Sequence, residues 1–353
     1  MERQVFSLKN IFLRGGAAAV CGALLLSLAA CGGGTTDTSD TPPTTEAVTT
    51  TVATTAPPVL YDNLLTGEKS LKTQNNRPVA FMIDNYSASI RQKNIDKADL
   101  YVEAETEAGI PRIMAVFGSI DSVPAQVGPC RSARTHFVKM AKALDSVYCH
   151  VGGSTLGRAM IKEKRLTDLD SLVEVSSELK AVNGAIEHTK VFTRAKMDDA
   201  IKKRGIALTT ATVSPYTFGE KAGDGAGNAV QLNISSRWKV SFTYDAATKL
   251  YTKHRNVLTS AEHVSYDGDP IRVSNVIIMY DTRFDEDASH ISFQLNAGNG
   301  TLVSGGTSRS VKWKRTDSGL SFTETDGTPL TVATGKTYIC LTSATLASQT
   351  VLQ

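Results

Sequence analysis

From Val79 onward the chain alternates short apolar runs with polar turns, and the spacing of those runs predicts most of its elements. Val79-Ala80-Phe81-Met82-Ile83 lies between Arg77-Pro78 and Asp84-Asn85, and reads as a buried strand that ends in a turn. From Tyr101 to Ala108, Tyr101, Glu103, Glu105 and Glu107 alternate with Val102, Ala104, Thr106 and Ala108. As a strand this stretch puts three carboxylates on one face, which is unfavourable unless they are solvated or paired. Gly109-Ile110-Pro111 then turns the chain into a second strand, Ile113 to Phe117, and the hairpin brings Arg112 near Glu107. After Gly128-Pro129, the positions Ala133, Phe137, Met140, Ala141 and Leu144 form one helical stripe, with Ser132 as the expected N-cap. Val147 to Val151 reads as a strand, Leu156 to about Leu166 as a helix, and Leu172 to Val175 as a strand. Thr193 caps a further helix that Gly205 closes.

The period changes in the second half. Short alternating runs cover Lys239 to Tyr244, Leu250 to His254, Val273 to Tyr280, Ile291 to Leu295, Ser310 to Arg315, Leu320 to Thr323 and Lys336 to Leu341. Asp267-Gly268, Gly298-Asn299-Gly300, Gly305-Gly306 and Asp326-Gly327 separate them as turns. The expected architecture is therefore an α/β (α+β) N-terminal domain with a mixed sheet over 60–210. A smaller, β-rich antiparallel C-terminal domain, a barrel or curved sheet, follows over 225–353. Gly219 to Gly227 reads as a linker or a long hairpin loop.

Residues 1–30 carry an address. Arg3, Lys9 and Arg14 precede an apolar stretch, Gly15 to Ala30, that is short for a membrane span. It ends Leu28-Ala29-Ala30-Cys31, the pattern of a bacterial lipoprotein signal, with Cys31 as the lipidated residue of the mature chain. Several acyl chains together hold a protein stably at a membrane. Residues 31–58, rich in Gly, Thr and Pro, form a tether that lets the folded part stand clear of the bilayer. The expected location is extracytoplasmic, at the outer face of the cytoplasmic membrane if the cell is Gram-positive.

Charge changes this picture little. The net charge of the 353 residues is +3, and residues 1–30 supply +2 of it. No basic stripe with interleaved aromatics occurs, so nucleic acid is not an expected partner. The five cysteines, Cys21, Cys31, Cys130, Cys149 and Cys340, form no C-x-x-C pair. His254, His263 and His290 with Asp285 and Asp287 lack tight ligand spacing. No metal or other cofactor is expected.

The candidate chemistry centres on Gly128 to Ser154. Arg131 and Arg134 flank the start of the first helix, where cations are unfavourable unless an anion faces them, either an internal carboxylate or a ligand. Gly152-Gly153-Ser154 is a weak anion cradle, or simply a tight connection with Ser154 as N-cap. Cys149 and His150 are strand neighbours that point to opposite faces, so they make no dyad. Asp84 stands at a strand's carboxyl end, where open α/β sheets gather ligand groups, although an Asx turn with Asn85 explains it equally well. Ser132 or Ser154 with His150 and Asp84 is the remaining arrangement for a hydrolytic triad. His188, a lone histidine before the last helix of this half, reads as structural.

These residues resemble a known family. Arg77-Pro78-Val79-Ala80 through Asp84-Asn85, Glu103, Glu107, Arg112, Gly128-Pro129, Arg131-Ser132-Ala133-Arg134 and His150 with Gly152-Gly153-Ser154 are similar to the motifs of the YerB-like bacterial lipoproteins. So, more loosely, are Tyr244-Asp245, Tyr251, Asn275-Val276, Trp313-Lys314, Asp326-Gly327 and Gly335. The resemblance implies two domains of unknown function and no established reaction. It maps the family's polar residues onto Asp84, Asn85, Glu103, Glu107, Arg112, Arg131, Ser132, Arg134, His150 and Ser154. Glu105 falls outside that set, and the sequence around His188 departs from the family's Pro-His-Asn run. Cys130 and Cys149 replace aliphatic residues of the family, which suggests a disulfide in an oxidising compartment. Such a bridge would contribute roughly 3 kcal/mol for a loop of about 20 residues. Two buried thiols are the alternative, and Cys340 is a rival partner.

Three functions remain open on this reading. The first is a binder of an anionic or polar envelope ligand, or of an envelope protein, in a cleft lined by Arg, Glu and His. The second is a hydrolase of cell-wall glycan or phosphodiester that uses Asp or Glu with His150. The third is an ion network that only holds the fold, with a role in protein interaction.

Overall fold

Val79–Ile83 (β1), Leu100–Glu105 (β2) and Pro111–Phe117 (β3) are buried along their whole length, which is why they read as apolar runs and not as half-polar strands. The computed structural model describes residues 61–70, 74–87 and 91–353. The leader, Cys31 and the tether lie outside the described residues.

In the N-terminal half β1 runs antiparallel to β3, and β3 antiparallel to β2. Val147–His150 (β4) adds parallel to β1, and Asp168–Asp170 (β5) parallel to β4. The C-terminal half contributes Ala229–Asn233 (β6), Lys239–Asp245 (β7), Leu250–His254 (β8), Asn275–Asp281 (β9), Ala297–Ser304 (β10), Thr307–Thr316 (β11) and Thr337–Ser343 (β12). β12 pairs in parallel with β2, setting Ile339 against Val102 and Leu341 against Ala104. It also pairs in parallel with β9, and β9, β10 and β11 continue antiparallel. The two halves therefore share one mixed sheet, which holds eleven strands among the described residues.

Two apolar layers sandwich that sheet. On one face Met82, Val102, Met114, Ile277 and Leu341 pack under Phe137, Met140 and Ala141 of the first helix, Thr135–Ala143 (α1), its C-cap Leu144, and Ile161 of Thr155–Glu163 (α2). On the other, Phe81, Tyr101, Ile113 and Tyr338 meet Met197 and Ile201 of Arg194–Arg204 (α3). The antiparallel strands β6, β7 and β8 close the same layer with Val230, Phe242 and Tyr251. Each large side chain so enclosed contributes about 1.5–3 kcal/mol.

Four local expectations are corrected. Gly298-Asn299-Gly300 is not a turn but part of β10. A Cβ on Gly298 would sit 2.7 Å from the Trp313 ring and one on Gly300 2.5 Å from the Ile278 carbonyl, so both glycines serve close packing between strands. Helix α1 begins at Thr135 with Arg134, not Ser132, at the N-cap position. The reason is that residues 130–133 are extended and wedge between the diverging ends of β1 and β4. Arg131 N–H donates to the Met82 carbonyl (2.8 Å), and Val151 N–H donates to the Arg131 carbonyl (3.0 Å). Cys130 and Cys149 are buried free thiols, as is Cys340. Cys149 lies beside Phe81 in the parallel ladder, while the Cys130 thiol faces the Val127 carbonyl at 3.6 Å, and burial pushes both thiols up. Finally, Glu107 leaves the strand for a short 3-10 turn, so the three glutamates do not share one face. No helix among the described residues is long and apolar enough to cross a membrane.

Candidate functional site

The extended wedge decides which polar residues can meet. Asp84 follows β1 and His150 ends β4, both at the carboxyl edge of the parallel strands, but residues 130–133 run between them. The single cleft expected for the candidate set is divided into four clusters.

In the first, Glu107 receives two arginines. Arg134 Nε and Nη2 grip its carboxylate in a fork (2.8 and 2.5 Å), and Arg112 Nη2 adds a third bond at 2.6 Å. Two further donors are used: Arg134 Nη1 binds the Ala133 carbonyl, and Arg112 Nη1 the Ser132 carbonyl. Burial alone would raise the Glu107 carboxyl, but the Arg134 hydrogen bond and both positive charges hold it at about 2. Burial and the neighbouring Arg134 charge lower Arg112 to about 10. The anion expected to face Arg134 is therefore internal. Ser132 contributes its carbonyl here.

In the second cluster His150, 1% exposed, is fully engaged. Its Nδ1 meets the Gly152 carbonyl at 2.7 Å and its Nε2 the Asp168 carboxylate at 3.2 Å. The His150 hydrogen bond is the main cause that lowers Asp168. The glycine pair is no open anion cradle: Gly152 N–H is taken by Asp170, Ser154 N–H by the Ala133 carbonyl, and Gly157 N–H by the Ser154 hydroxyl. Ser154 is the N-cap of α2. Neither serine is set as a nucleophile against a free histidine nitrogen.

The third cluster joins the two halves. Glu103, fully buried, accepts from Asn85 Nδ2 (2.9 Å) and Tyr338 OH (2.7 Å), and lies 3.4 Å from Lys253 Nζ. Glu105, outside the candidate set, pairs with Arg283 at 3.5 Å.

The fourth cluster holds one donor that is not satisfied. Asp84 Oδ1 accepts the Tyr86 N–H, the Asx turn expected from the sequence, and Oδ2 lies 2.5 Å from His188 Nδ1. The His188 ring stacks on Tyr86, with centroids 5.5 Å apart and 23° between planes. Tyr86 is 40% exposed. Arg131 Nη1 stands 3.8 Å from Asp84 Oδ2 and 3.8 Å from Glu187 Oε1. Both separations are too long for hydrogen bonds. Nη1 is buried without a partner among the described residues, whereas the Arg77, Arg112 and Arg134 guanidiniums are each bonded. Among the described residues no group of three or more His, Cys, Asp or Glu side chains could hold a metal ion.

Of the ten candidate residues, Asp84 and Arg131 thus meet at one place, Glu107, Arg112 and Arg134 at another, and Asn85 and Glu103 at a third. His188, Glu187 and Tyr86 were not among the candidates. The proximity of Glu187 and His188 to Asp84 comes from tertiary folding over about a hundred residues, and the only local signal is Tyr86, the aromatic immediately after Asp84-Asn85.

Comparison with known proteins agrees with this architecture. Residues 65–207 match the N-terminal domain, and residues 230–339 the C-terminal domain, of the DUF3048 proteins of unknown function. YerB of Bacillus subtilis (strain 168), a protein named as a lipoprotein, is 26% identical over 284 residues, 78% of this chain and 84% of its own length. The crystal structure of B. subtilis YerB superimposes with a TM-score of 0.71 at 22% identity, covering 83% of this chain and 99% of that one. With both domain types present in order and the same fold over 83% of its length, this chain belongs to the YerB-like family of DUF3048 proteins.

Proposed function

We propose that this protein is anchored outside the cytoplasmic membrane through a lipid on Cys31. In this reading its N-terminal half binds an oxygen-rich polar ligand of the cell envelope, such as a wall glycan, at Arg131, Asp84, Glu187, His188 and Tyr86. The carrying observation is Arg131 Nη1, buried and unbonded at 3.8 Å from two carboxylates. A buried donor without a partner costs about 1–3 kcal/mol, and a ligand oxygen would relieve that. Arg131 is opposed by Asp84 and Glu187, so the cluster carries no surplus of positive charge. A hydroxyl- and carbonyl-bearing ligand suits it better than a polyanion. The exposed Tyr86 ring beside it offers a stacking platform for a sugar. The tether would give the site reach into the wall.

The test is sedimentation of the protein with peptidoglycan and with teichoic-acid polymer, comparing the parent with Arg131→Gln. The reading is lost if the variant still binds each polymer as the parent does. Capture of an envelope protein through the same residues would redirect it to a protein partner.

One observation favours a hydrolytic variant of this reading. His188 presents Nδ1 to a carboxylate, the arrangement that orients a general base. His150, with both nitrogens engaged, is then not the proton carrier. Turnover of a glycan or phosphodiester that disappears in His188→Gln would establish it.

A further inference from the structure

The C-terminal half places a lysine, a histidine and a tyrosine where no solvent reaches, directly beneath the Asp84-Asn85 turn. Lys253 is 1% exposed, His263 and Gln92 fully buried. Lys253 Nζ contacts His263 Nδ1 at 3.1 Å, His263 Nε2 contacts Gln92 Oε1 at 3.1 Å, and Gln92 Nε2 donates to the Asp84 carbonyl at 3.0 Å. Arg255 Nη2 also points at Gln92 Oε1, at 3.4 Å.

The direction of every bond is determined. Gln92 Nε2 must donate to a carbonyl, so its Oε1 accepts, and His263 carries its proton on Nε2. His263 Nδ1 is then a bare lone pair that accepts from the Lys253 ammonium. Burial, followed by the Lys253 and Arg255 charges, lowers His263 far below its ordinary value, consistent with a neutral ring. Glu103 balances Lys253 and also binds Asn85. The peptide that carries Asp84 and Asn85 is thus held at the Asp84 carbonyl and at the Asn85 side chain. Both holds trace back to Lys253.

A buried ion pair is an expensive way to fill a core, since apolar residues of similar volume often give equal or greater stability. We infer that Gln92, His263 and Lys253 are positioning residues, through which the C-terminal half sets the Asp84 turn and keeps the Asp84 carboxylate aimed at His188. The inference rests on reading Asp84 and His188 as part of the ligand site. It makes that site a product of both halves.

The test uses 15N NMR of the His188 ring, which needs no ligand. In the full chain the Asp84 contact should hold His188 with its proton on Nδ1. The double variant Lys253→Met/Glu103→Gln removes the charge pair, while the glutamine oxygen can still accept from Asn85 and its NH2 can donate to the Tyr338 hydroxyl. It should melt no lower than the parent while His188 loses the Nδ1–H pattern. If the double variant fails to fold, Gln92→Met cuts only the last link and should give the same loss. An unchanged His188 pattern in a folded variant overturns the positioning role. A parent without the Nδ1–H pattern instead overturns the Asp84–His188 site itself, and the two failures are distinct.

Discussion

His188 Nδ1 lies 2.5 Å from Asp84 Oδ2, although 104 residues separate the two in sequence. The contact joins the end of the first buried strand to the turn before Lys190–Thr193. It moves the chemically interesting histidine from His150, closed between Gly152 and Asp168, to a ring beside an exposed tyrosine and an arginine whose Nη1 makes no hydrogen bond.

The Glu107 cluster, by contrast, is paired internally. Its carboxylate is the ion-pair partner of both Arg112 and Arg134 among the described residues, and their side chains are 7% and 8% exposed. Glu107→Gln should therefore destabilise the fold by about 2–3 kcal/mol, less than for a fully enclosed pair because Glu107 itself is 31% exposed. Urea unfolding of parent and variant measures it.

Acid should act through the same group. The folded Glu107 carboxyl sits at about 2, below its ordinary 4.5, so the unfolded chain binds the proton first. The stabilisation is complete above pH 4.5 and is lost as the pH falls from 4.5 towards 2, on the order of 3 kcal/mol in all. The denaturant midpoint should drop across that window, and the drop should be smaller in Glu107→Gln.

Much of the fold was legible because its signals are local. The apolar runs of β1 and β3, the stripe of α1 and the Gly205 stop each follow from residues within one turn or strand. The strand Ala297–Ser304 was not legible, because glycines that read as a turn are there to admit Trp313 and the Ile278 carbonyl. The site was half legible. Arg131 and Asp84 carried adverse or suggestive local chemistry, but whether Arg134 or Arg131 would find an internal anion depended on Glu107 leaving its strand. His188 carried no sign that it would face Asp84.

Cys130, Cys149 and Cys340 are buried with thiols pushed up by desolvation. All three should resist a thiol reagent in the native protein and react together in denaturant, read by peptide mass mapping. Protection of Cys130 and Cys149 that persists in denaturant until a reductant is added would restore the disulfide.

Cys31 should carry the anchor. Cys31→Ala should leave the leader uncleaved by the lipoprotein peptidase and remove the lipid, and globomycin should have the same effect on processing in the parent. Unaltered processing and membrane retention in both cases would contradict the lipoprotein assignment of this cysteine.

The central claim, a polar-ligand site at Arg131, is tested most directly by titrating soluble wall-glycan fragments into isotope-labelled protein. The ring signals of Tyr86 and His188 and the guanidinium of Arg131 are followed throughout. Saturable shifts are expected at all three, and they should vanish in Arg131→Gln while the Glu103–Lys253 region keeps its signals. Saturable binding that leaves these three residues unmoved, or that survives in Arg131→Gln, would contradict the claim.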